Sequence, residues 1–459
     1  MIRIDRRHMI AAGLGASAAA GAGMLARPAA AQGAAALTQA LVPVTQFGVR
    51  PDAGSDQAAA LQKAVDLAAS KRQPLFLPAG AYRVSTLELR PDSHLVGVPG
   101  RSVLMHEGDG VFVTAAVADN LQLSGLVFDG RLRPLGGSAA PRSLLSADDC
   151  REMVIENCSF TGSAADGLRM TRCSGRISCS DFSDCADTGL FTLDAKGLEI
   201  SHNHVAACGN NGIQVWRSEA GEDATLILHN RIERIRTDAG GTGQNGNGVV
   251  LFRAGSVLVQ GNRINDCAFS AIRGNAASDV QMIGNSCARL GEVALYAEFA
   301  FEGAIIANNL VNRAAAGISV TNFGDHGGRL AVVQGNLIRN LSLKKDSEDE
   351  RGYGIHLEAD GVVSNNVIEN VPNLGIVLGW GASMRDISAT GNLIRSARIG
   401  IGLSVDPDAG YGFVSNNMIS GAKEGGIRAM NHHVPLGPDL AQTSSESYRN
   451  IAVYANVSL

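Results

Sequence analysis

The nine residues Val332–Asn340, "VVQGNLIRN", decide the fold, because close variants of this stretch recur along most of the chain. Among the variants are "LILHNRIER", "AIIANNLVNR", "VVSNNVIEN" and "SATGNLIRS". Each has an aliphatic residue three places before a central Asn and another two places after it. The central positions are Asn203, Asn230, Asn262, Asn285, Asn309, Asn336, Asn366, Asn392, Asn417 and Asn456, with Cys158 and Ser180 in this place in two earlier repeats.

Downstream of each central position, a Gly opens a short strand of alternating apolar residues. These glycines are Gly167, Gly189, Gly212, Gly248, Gly317, Gly354, Gly375, Gly400 and Gly426, with Ala271 and Ala294 replacing two of them. Consecutive central positions lie between 22 residues (Cys158 to Ser180) and 39 residues (Asn417 to Asn456) apart. Strands this short cannot bury a face alone, so the repeat predicts an all-β fold, a single parallel β-helix of stacked coils. Parallel crossovers are almost always right-handed, which predicts a right-handed helix.

The repeated Asn is predicted to be structural. Asn tolerates a left-handed backbone better than most residues, which suits a corner between strands. Its amide can also donate to and accept from the Asn one coil away. The sequence therefore predicts a ladder of stacked Asn side chains along the helix.

Length and charge narrow the function classes. The chain has 459 residues and a formal net charge of -5 at pH 7. No excess of basic charge is available to neutralise phosphates, so an extended nucleic-acid surface is not expected. Stacked repeats can continue as one elongated domain, so the length does not imply several domains.

Residues 1–31 have the composition of an export signal. Arg6 and Arg7 precede a weakly apolar Ala/Gly run, and a small-residue cleavage point follows Ala31. The arginine pair indicates the twin-arginine export machinery as a partner, and an ordinary secretory signal is the alternative. Residues 32–45 then form a linker. Either signal predicts a mature protein that is periplasmic or secreted and not embedded in a membrane.

The stretch "FGVRPDAGSDQAAALQKAVDLAASKRQPLFLPAGAYRVS" precedes the repeats. It contains one amphipathic helix, predicted over Ser55–Ser70, which would cover the open end of the helical stack. Residues 46–100 are therefore assigned to an N-terminal cap and the first coils, and residues 101–459 to the β-helix repeats. The "FGV" start, Asp56 at the helix start and the "FLPAGAYRV" strand resemble the pectate-lyase-like right-handed parallel β-helix superfamily. With the arginine pair, the chain most resembles an uncharacterised family of twin-arginine-translocated β-helix repeat proteins, which implies architecture and export but no reaction.

Side chains two and four places after each Gly position should point outward in two parallel columns. These columns contain the predicted substrate-binding residues Arg169, Trp216, Arg273 and Tyr296, and the candidate catalytic residues Glu298, His356 and Glu358. Aromatic faces stack on sugar rings and charged groups hold hydroxyls or uronates, so an open face suits an acidic polysaccharide. The alternative is a face covered by insertion loops, on which the aromatic residues are ordinary packing.

A second resemblance concerns two aspartates. Polygalacturonase-type β-helix hydrolases have catalytic carboxylates just before this strand on successive coils. The corresponding stretches here, "SAADGL", "CADTGL" and "CGNNGI", have Asp166 and Asp187 in carboxylate places. The resemblance implies acid and base roles for these two residues, on coils about 5 Å apart. Thr188 and Asn211 depart from the pattern, since they replace a second Asp and a His.

A uronate lyase or an epimerase is the neighbouring enzymatic alternative, and a non-catalytic envelope module that binds glycan or protein is the rival to any enzyme. The stretch "VDPDAG" is too short to establish a calcium site, so no cofactor is predicted. The adjacent His432 and His433 should diverge on an extended strand, and His202 and His204 lack a third ligand. All four are interpreted as surface residues, and no metal site is predicted.

Eight cysteines in an exported chain raise the question of disulfides. Cys185 and Cys208 each lie five residues after a central position of consecutive repeats, which predicts side-by-side stacking within disulfide range. Cys150 and Cys173 are a second candidate pair for stacking. The alternative, which we favour, is a series of small buried thiols in the core.

Overall fold

The computed structural model describes residues 41–136, 142–322, 327–344 and 352–459. The predicted signal peptide and residues 32–40 of the predicted linker lie outside these ranges. Val42–Pro43, within the predicted linker, pairs in parallel with Leu75–Leu77 as the first strand of a sheet. The rest of the described chain is a right-handed parallel β-helix, which confirms the predicted fold class.

Three parallel sheets run along the helix, and each coil contributes one strand to each sheet. The pre-Asn sheet, whose strands precede the central position, has 16 strands. Its strands are Val42–Pro43, Leu75–Leu77, His94–Gly97, Gln122–Ser124, Met153–Glu156, Gly175–Ser178, Glu199–Ser201, Leu226–Leu228, Leu258–Gln260, Val280–Ile283, Glu302–Ala307, Arg329–Gln334, Gly361–Ser364, Ile387–Thr390, Gly412–Ser415 and Ile451–Tyr454.

The post-Asn sheet follows the central position and has 15 strands. They are Gly80–Val84, Ser102–His106, Leu126–Asp129, Ser159–Thr161, Asp181–Ser183, His204–Ala206, Arg231–Ile235, Arg263–Cys267, Ser286–Ala288, Leu310–Asn312, Leu337–Arg339, Val367–Glu369, Leu393–Arg395, Met418–Ser420 and Val457–Ser458.

The Gly-led sheet also has 15 strands. They are Leu87–Leu89, Val113–Ala116, Ser143–Asp148, Asp166–Thr171, Thr188–Leu193, Asn211–Glu222, Asn247–Gly255, Ile272–Asn275, Val293–Glu298, Ala316–Val320, Ile355–Leu357, Leu374–Leu378, Ile399–Ser404, Ile427–Asn431 and Val434–Leu436. The last two strands pair antiparallel, unlike every other pair in the described sheets.

The predicted helix covers the N-terminal end of the stack. It runs from Ala58 to Ser70, three residues shorter at its start than predicted, because Asp56 Oδ1 accepts the Ala58 N–H at 2.9 Å. Leu61 and Val65, on the predicted apolar face, are buried in the same core as the first coils. Short 3-10 helices lie at Val44–Phe47 and Gly381–Ser383.

The Asn ladder forms as predicted and is buried. Asn336 Oδ1 accepts the backbone N–H and the Nδ2–H of Asn309 at 2.9 and 3.0 Å. Asn336 Nδ2 donates to Asn366 Oδ1 at 2.9 Å, and the pattern continues to Asn456. Ser180 takes the same place, since its N–H donates to Asn203 Oδ1 at 3.0 Å. The ladder therefore joins consecutive coils through side chains as well as through strands.

The expectation that the central Asn adopts a left-handed backbone was wrong. The left-handed residue lies one place earlier, at Gly335 (φ 64°), Asn308 (φ 58°) and Asn365 (φ 55°), and the ladder Asn residues themselves have ordinary backbone angles. Asn is selected at the central position because its amide pairs with the next coil. The preceding residue makes the corner, which explains why Gly or Asn often stands there.

All eight cysteines are free thiols, and seven of them are buried. The register that pairs Asp181 with His204 brings Cys185 alongside Cys208, and neither pair of stacked cysteines is bridged. We therefore expect a thiol reagent to modify Cys179 alone at a rapid rate in the native protein, and eight thiols after unfolding. Mass spectrometry of the labelled protein measures both numbers. Fewer than eight modified thiols in the unfolded, unreduced protein would reveal a disulfide.

Candidate functional site

The two outward columns of the Gly-led sheet have the predicted register. Ser319 pairs with His356, and His356 with Val377, along one column. The second column passes through Trp216, Phe252 and Asn275 to Glu298. The two columns therefore follow the register that was counted from the Gly positions.

The structure covers this face over its middle coils, so the open-face expectation is corrected in favour of the alternative. Glu298 is 1% exposed and Glu358 is 4% exposed. Gly243, in the insertion after Arg236, lies directly against the Arg273 guanidinium. Tyr353 packs over Tyr296 from the neighbouring insertion. The outward face is thereby reduced to cavities between the covering segments.

Asp166 is a buried member of a second polar ladder. Its Oδ1 accepts the Thr188 N–H at 3.1 Å, and its Oδ2 pairs with Arg169 at 3.1 Å. In the same column, Asn211 Oδ1 accepts the Asn247 N–H at 3.1 Å. Burial, and secondarily the negative charge of Asp187, raise the pKa of Asp166 to about 7. The Arg169 guanidinium also lies over the Phe191 ring, 4.0 Å from its centroid.

Asp187 lies on the adjacent coil, as predicted, but in the neighbouring column. Thr188 is the residue alongside Asp166, because the register runs from Gly167 to Gly189. Asp187 is exposed, and its Oδ1 accepts the Asn210 Nδ2–H at 2.9 Å. The two carboxyl groups therefore do not form the stacked pair that the polygalacturonase resemblance implied.

Glu298 is held in a buried ion-pair cluster. Arg273 donates from Nε and Nη2 to the two carboxylate oxygens of Glu298, at 2.6 and 2.9 Å. Arg273 Nη1 also lies 3.4 Å from Glu292 Oε2, and Asn275 Nδ2 donates to Glu298 Oε1 at 2.9 Å. The bidentate geometry fixes the position of the Glu298 carboxylate. The Glu298 carboxylate and the Arg273 guanidinium therefore form an ion pair with each other.

Three of the predicted site residues meet in one cavity of about 150 Å³, which we call the His356 cavity. His356 lies in the strand Ile355–Leu357 of the Gly-led sheet, Glu358 follows directly after it, and Tyr296 lies in a strand two coils earlier. Tyr353 and Trp380 close the sides, with ring centroids 5.4 and 5.9 Å from the imidazole. Also lining the cavity are Ser319, Thr321, Asn373, Leu374, Val377, Arg398, His432 and His433.

The electrostatics of the cavity centre on His356 and Glu358. His356 Nε2 lies 3.8 Å from Glu358 Oε1, and both side chains are more than 90% buried. Burial, with a smaller contribution from His433, lowers the pKa of His356 to about 4. Burial raises the pKa of Glu358 to about 7. The backbone N–H of Asn322, which donates to Glu358 Oε2 at 2.6 Å, acts in the opposite direction and lowers this pKa. Near neutral pH the imidazole is uncharged, and a large fraction of Glu358 carries a proton.

Several polar atoms in and beside this cavity are buried without a partner among the described residues. They include His356 Nε2 and Thr321 Oγ1, and the neighbouring Asn322 Oδ1. Buried polar atoms in proteins nearly always make hydrogen bonds, and exceptions concentrate where water or a ligand binds. The cavity therefore presents hydrogen-bonding capacity to a polar guest.

The interpretation of His432 and His433 as diverging surface residues was wrong in one respect. Both are exposed, but they occupy the tight turn between the two last strands of the Gly-led sheet rather than an extended strand. At this turn His432 has φ 53°, and both rings reach Trp380, at centroid distances of 5.1 and 4.5 Å. They form the outer rim of the His356 cavity.

Sequence reasoning missed Tyr353, Trp380 and Arg398. Counting two residues beyond Val377 along the outward column gives Gly379, and Trp380 stands one place further, so the column count passes over it. Arg398 Nη1 pairs with Glu424 at 2.7 Å and remains 29% exposed at the cavity margin. Tyr353 comes from an insertion, and no repeat pattern predicts its direction.

Within the described ranges, no group of three or more His, Cys, Asp or Glu side chains is arranged to hold a metal ion. The same part of the chain contains no helix that is long and apolar enough to cross a membrane.

The coils, the Asn ladder and the covered Gly-led face define a right-handed parallel β-helix protein with an enclosed polar cavity. The family model described as "Right handed beta helix region" matches residues 138–243 and 220–394, which is more than half of the chain. The chain therefore belongs to this family. No curated protein sequence matches it.

Several solved structures are similar to this chain at low sequence identity. Pre-mature gene product 12 of bacteriophage phi29 is 15% identical, with a TM-score of 0.58, and covers 89% of this chain. This chain in turn spans 60% of the phage protein. The surface adhesin PfbA of Streptococcus pneumoniae is 14% identical (TM-score 0.49, 79% of this chain and 100% of that chain). The A-module of the mannuronan C-5 epimerase AlgE6 of Azotobacter vinelandii is 16% identical (TM-score 0.47, 91% and 99%).

Proposed function

We propose that this protein is exported, binds an acidic polysaccharide in the His356 cavity and cleaves it by β-elimination at a uronate residue. The observation that carries the proposal is the buried pair of His356 and Glu358, with an uncharged imidazole beside a proton-bearing carboxyl group. Pairs of groups whose environments push their pKa values apart are typical of acid and base assignments. Trp380 supplies an aromatic wall for a sugar ring.

In elimination, a base removes the proton from C5 of the uronate, the bond between C4 and the glycosidic oxygen breaks, and an acid protonates the departing oxygen. His356 is assigned the base, since it lines the cavity and its Nε2 has no hydrogen-bond partner among the described residues. Glu358 is assigned the acid. A uronate carboxylate beside the imidazole would favour the charged imidazolium, and so raise the pKa of His356 as it takes the proton.

Recognition of the uronate is assigned to the cavity margin. Arg398 is partly exposed there, and its side chain is already positioned by Asn373 Oδ1 at 2.7 Å. A guanidinium is well suited to a carboxylate because its donors match the two oxygens. Asp166, Asp187 and Glu298 are assigned no part in the chemistry, since Asp166 and Glu298 serve the ladder and the ion-pair cluster and Asp187 lies outside the cavity.

The export part of the proposal rests on residues 1–31 alone. The Arg6–Arg7 pair, the apolar run and the small residues before Gln32 support a twin-arginine signal and a periplasmic or secreted location. Folding before export would also suit a protein whose eight cysteines are free thiols.

A screen of the mature protein against polygalacturonate, alginate and glycosaminoglycans tests the proposal. We expect one of these polymers to yield unsaturated uronates, detected by their ultraviolet absorbance, without an added oxidant or reductant. New reducing ends without that absorbance would indicate hydrolysis instead. Binding without either product would contradict cleavage of these polymers.

The second candidate is a non-catalytic glycan-binding module. It is favoured by one observation: Asp166 and Glu298, two carboxylates that sequence reasoning assigned to catalysis, are held by Arg169 and Arg273. In that case the His356 cavity would recognise the sugar through hydrogen bonds and Trp380 alone. The same screen separates the two candidates.

A further inference from the structure

The last six strands of the pre-Asn sheet, from Glu302–Ala307 to Ile451–Tyr454, present an uncharged outward face. Two outward columns cross these strands in continuous register. The first column is Ile305, Val332, Val362, Ser388, Phe413 and Ala452, and the second is Ala307, Gln334, Ser364, Thr390, Ser415 and Tyr454. None of these twelve side chains is charged, and we call this surface the apolar face.

The same two columns carry charges in the N-terminal part of the sheet. Arg176 and Glu199 occupy the first column there, and Glu156 occupies the second. The register carries both columns without a break from these strands to the apolar face. Charged residues are therefore compatible with the fold at these positions, and the fold alone does not require an apolar surface.

The apolar face is exposed to solvent in the single chain. Ile305 is 39% exposed and Val362 is 37% exposed. Val332, Val362 and Phe413 line a groove of about 680 Å³ on this face. Tyr411 lines the same groove and is 71% exposed. Contiguous exposed apolar surface of this kind marks an interaction site more often than scattered apolar residues do.

The dimensions of the apolar face match a small interface between two proteins. From the spacing of neighbouring strands and the rise per residue, the face is about 29 Å long and, with its bordering turns, about 20 Å wide. Packing would bury about 600 Å² on each partner, or about 1,200 Å² in total, which is the lower limit for specific interfaces. An uncharged face also limits repulsion between two copies that each have a formal net charge of -5.

Side-chain sizes along the apolar face fit a second copy of the same face. When two copies pack antiparallel about a two-fold axis between the strands Gly361–Ser364 and Ile387–Thr390, the first of the six strands faces the sixth. The facing pairs that include an apolar side chain are then Ile305 with Ala452, Val332 with Phe413, Val362 with Ser388, and Ala307 with Tyr454. Three of these four pairs join a large side chain to a small one, so the two surfaces interdigitate.

The charged rim of the apolar face fits the same arrangement. Glu302 and Arg449 are exposed at opposite ends of one rim column, since each stands two residues before an equivalent position of the first and the sixth strand. The two-fold axis brings Glu302 of each copy to the partner's Arg449. Within one chain the two residues are five strands, or about 24 Å, apart and cannot pair. Near the axis the rim carries Asp360, Arg385 and Asp386, and the Arg385–Asp360 pair at 2.5 Å reduces the acidic charge there.

We propose that the apolar face is the interface of a homodimer, in which two copies of the β-helix pack antiparallel about a two-fold axis between Gly361–Ser364 and Ile387–Thr390. This proposal is independent of the proposed function, because no residue of the apolar face lines the His356 cavity. The small buried area corresponds to a reversible dimer, with a dissociation constant expected on the order of micromolar.

Sedimentation of the mature protein between about 0.1 and about 100 μM tests the dimer, since this range brackets a micromolar dissociation constant. We expect a monomer at the lowest concentration and a dimer at the highest. Val362→Glu should weaken self-association by about tenfold or more, because it places a charge in the apolar interface beside the axis. Val154→Glu is the matched control, since Val154 lies on the same column next to Arg176, outside the apolar face, and it should associate as the unaltered protein does.

Thermal unfolding of both variants checks that they fold. A monomer at every concentration would leave the apolar face to a different partner and overturn the proposal. A trimer or larger assembly, or unchanged association of Val362→Glu, would overturn it as well.

A charge exchange on the exposed rim tests the antiparallel arrangement without altering the core. Glu302→Arg and Arg449→Glu should each weaken self-association by about threefold to tenfold, because each places like charges together across the rim. The variant with both substitutions should associate to within about twofold of the unaltered protein, because the two charges have only exchanged places. Weakening that the double variant does not reverse, or no weakening in either single variant, would overturn the proposal.

Discussion

Replacing Glu358 by Gln should lower turnover on the cleaved polyuronate by about 100-fold or more, since a positioned general acid contributes roughly that factor. Gln has the shape of the protonated carboxyl group, and its carbonyl oxygen can still accept the Asn322 N–H. The variant should therefore fold and bind the polymer with KM little changed. Initial rates of unsaturated-uronate formation, with thermal unfolding as a check on folding, measure both expectations.

Glu369→Gln is the matched control. Glu369 lies on the next coil, in the post-Asn sheet, and its carboxylate is 3.5 Å from Arg395 on the surface. Its replacement should leave turnover within about twofold of the original rate, because an exposed ion pair contributes little. Asp187→Asn should also retain full turnover. Loss of turnover in Asp187→Asn with normal Glu358→Gln activity would instead return the chemistry to the residues that the polygalacturonase resemblance indicates.

The pH dependence of kcat/KM follows from the same pair. Below a pH of about 4, His356 becomes protonated and cannot act as the base, because burial has lowered its pKa to about 4. Above a pH of about 7, Glu358 loses the proton it must donate, because burial has raised its pKa to about 7. The profile should be a bell between these values, and the residual activity of Glu358→Gln should lack the alkaline decline.

Replacing Asn336 by Ala should lower the free energy of unfolding by about 3–5 kcal/mol, since each buried polar group left unpaired costs about 1–3 kcal/mol. The substitution removes the acceptor of the Asn309 N–H and the donor to the Ile306 carbonyl. Both groups are buried, and the methyl side chain of Ala cannot make the hydrogen bonds of the lost amide. Urea denaturation followed by circular dichroism gives the shift in midpoint.

Asn312→Ala provides the comparison. Asn312 lies on the adjacent post-Asn strand, and its Oδ1 accepts the Asn340 Nδ2–H at 2.9 Å in an exposed pair. Solvent can replace that hydrogen bond, so the cost should stay below about 1 kcal/mol. Equal effects of the two substitutions would mean that burial in the ladder adds nothing to stability.

The fold could be predicted from the sequence because it repeats. One residue type at one place per coil, as at Asn309 and Asn336, reports both the strand boundaries and the register. The backbone reason for that Asn was less accessible. The left-handed backbone angle belongs to the preceding residue, such as Gly335. When two neighbouring positions both recur in every coil, the sequence does not show which of the two turns the chain.

The candidate site was only partly predictable, because its closure depends on segments that break the repeat. Counting from the Gly position placed His356 and Glu358 on the outward face. Their burial, which shifts both pKa values, comes from Tyr353, Trp380 and the turn at His432 and His433. The directions of those side chains are set by tertiary contacts, and sequence spacing does not determine them.

A crystal structure of the Glu358→Gln variant with an oligosaccharide of the cleaved polymer tests the central claim most directly. We predict a sugar ring against Trp380, with a uronate carboxylate at Arg398 and its C5 facing His356 Nε2. An oligosaccharide bound elsewhere on the β-helix, with the His356 cavity empty, would contradict the account.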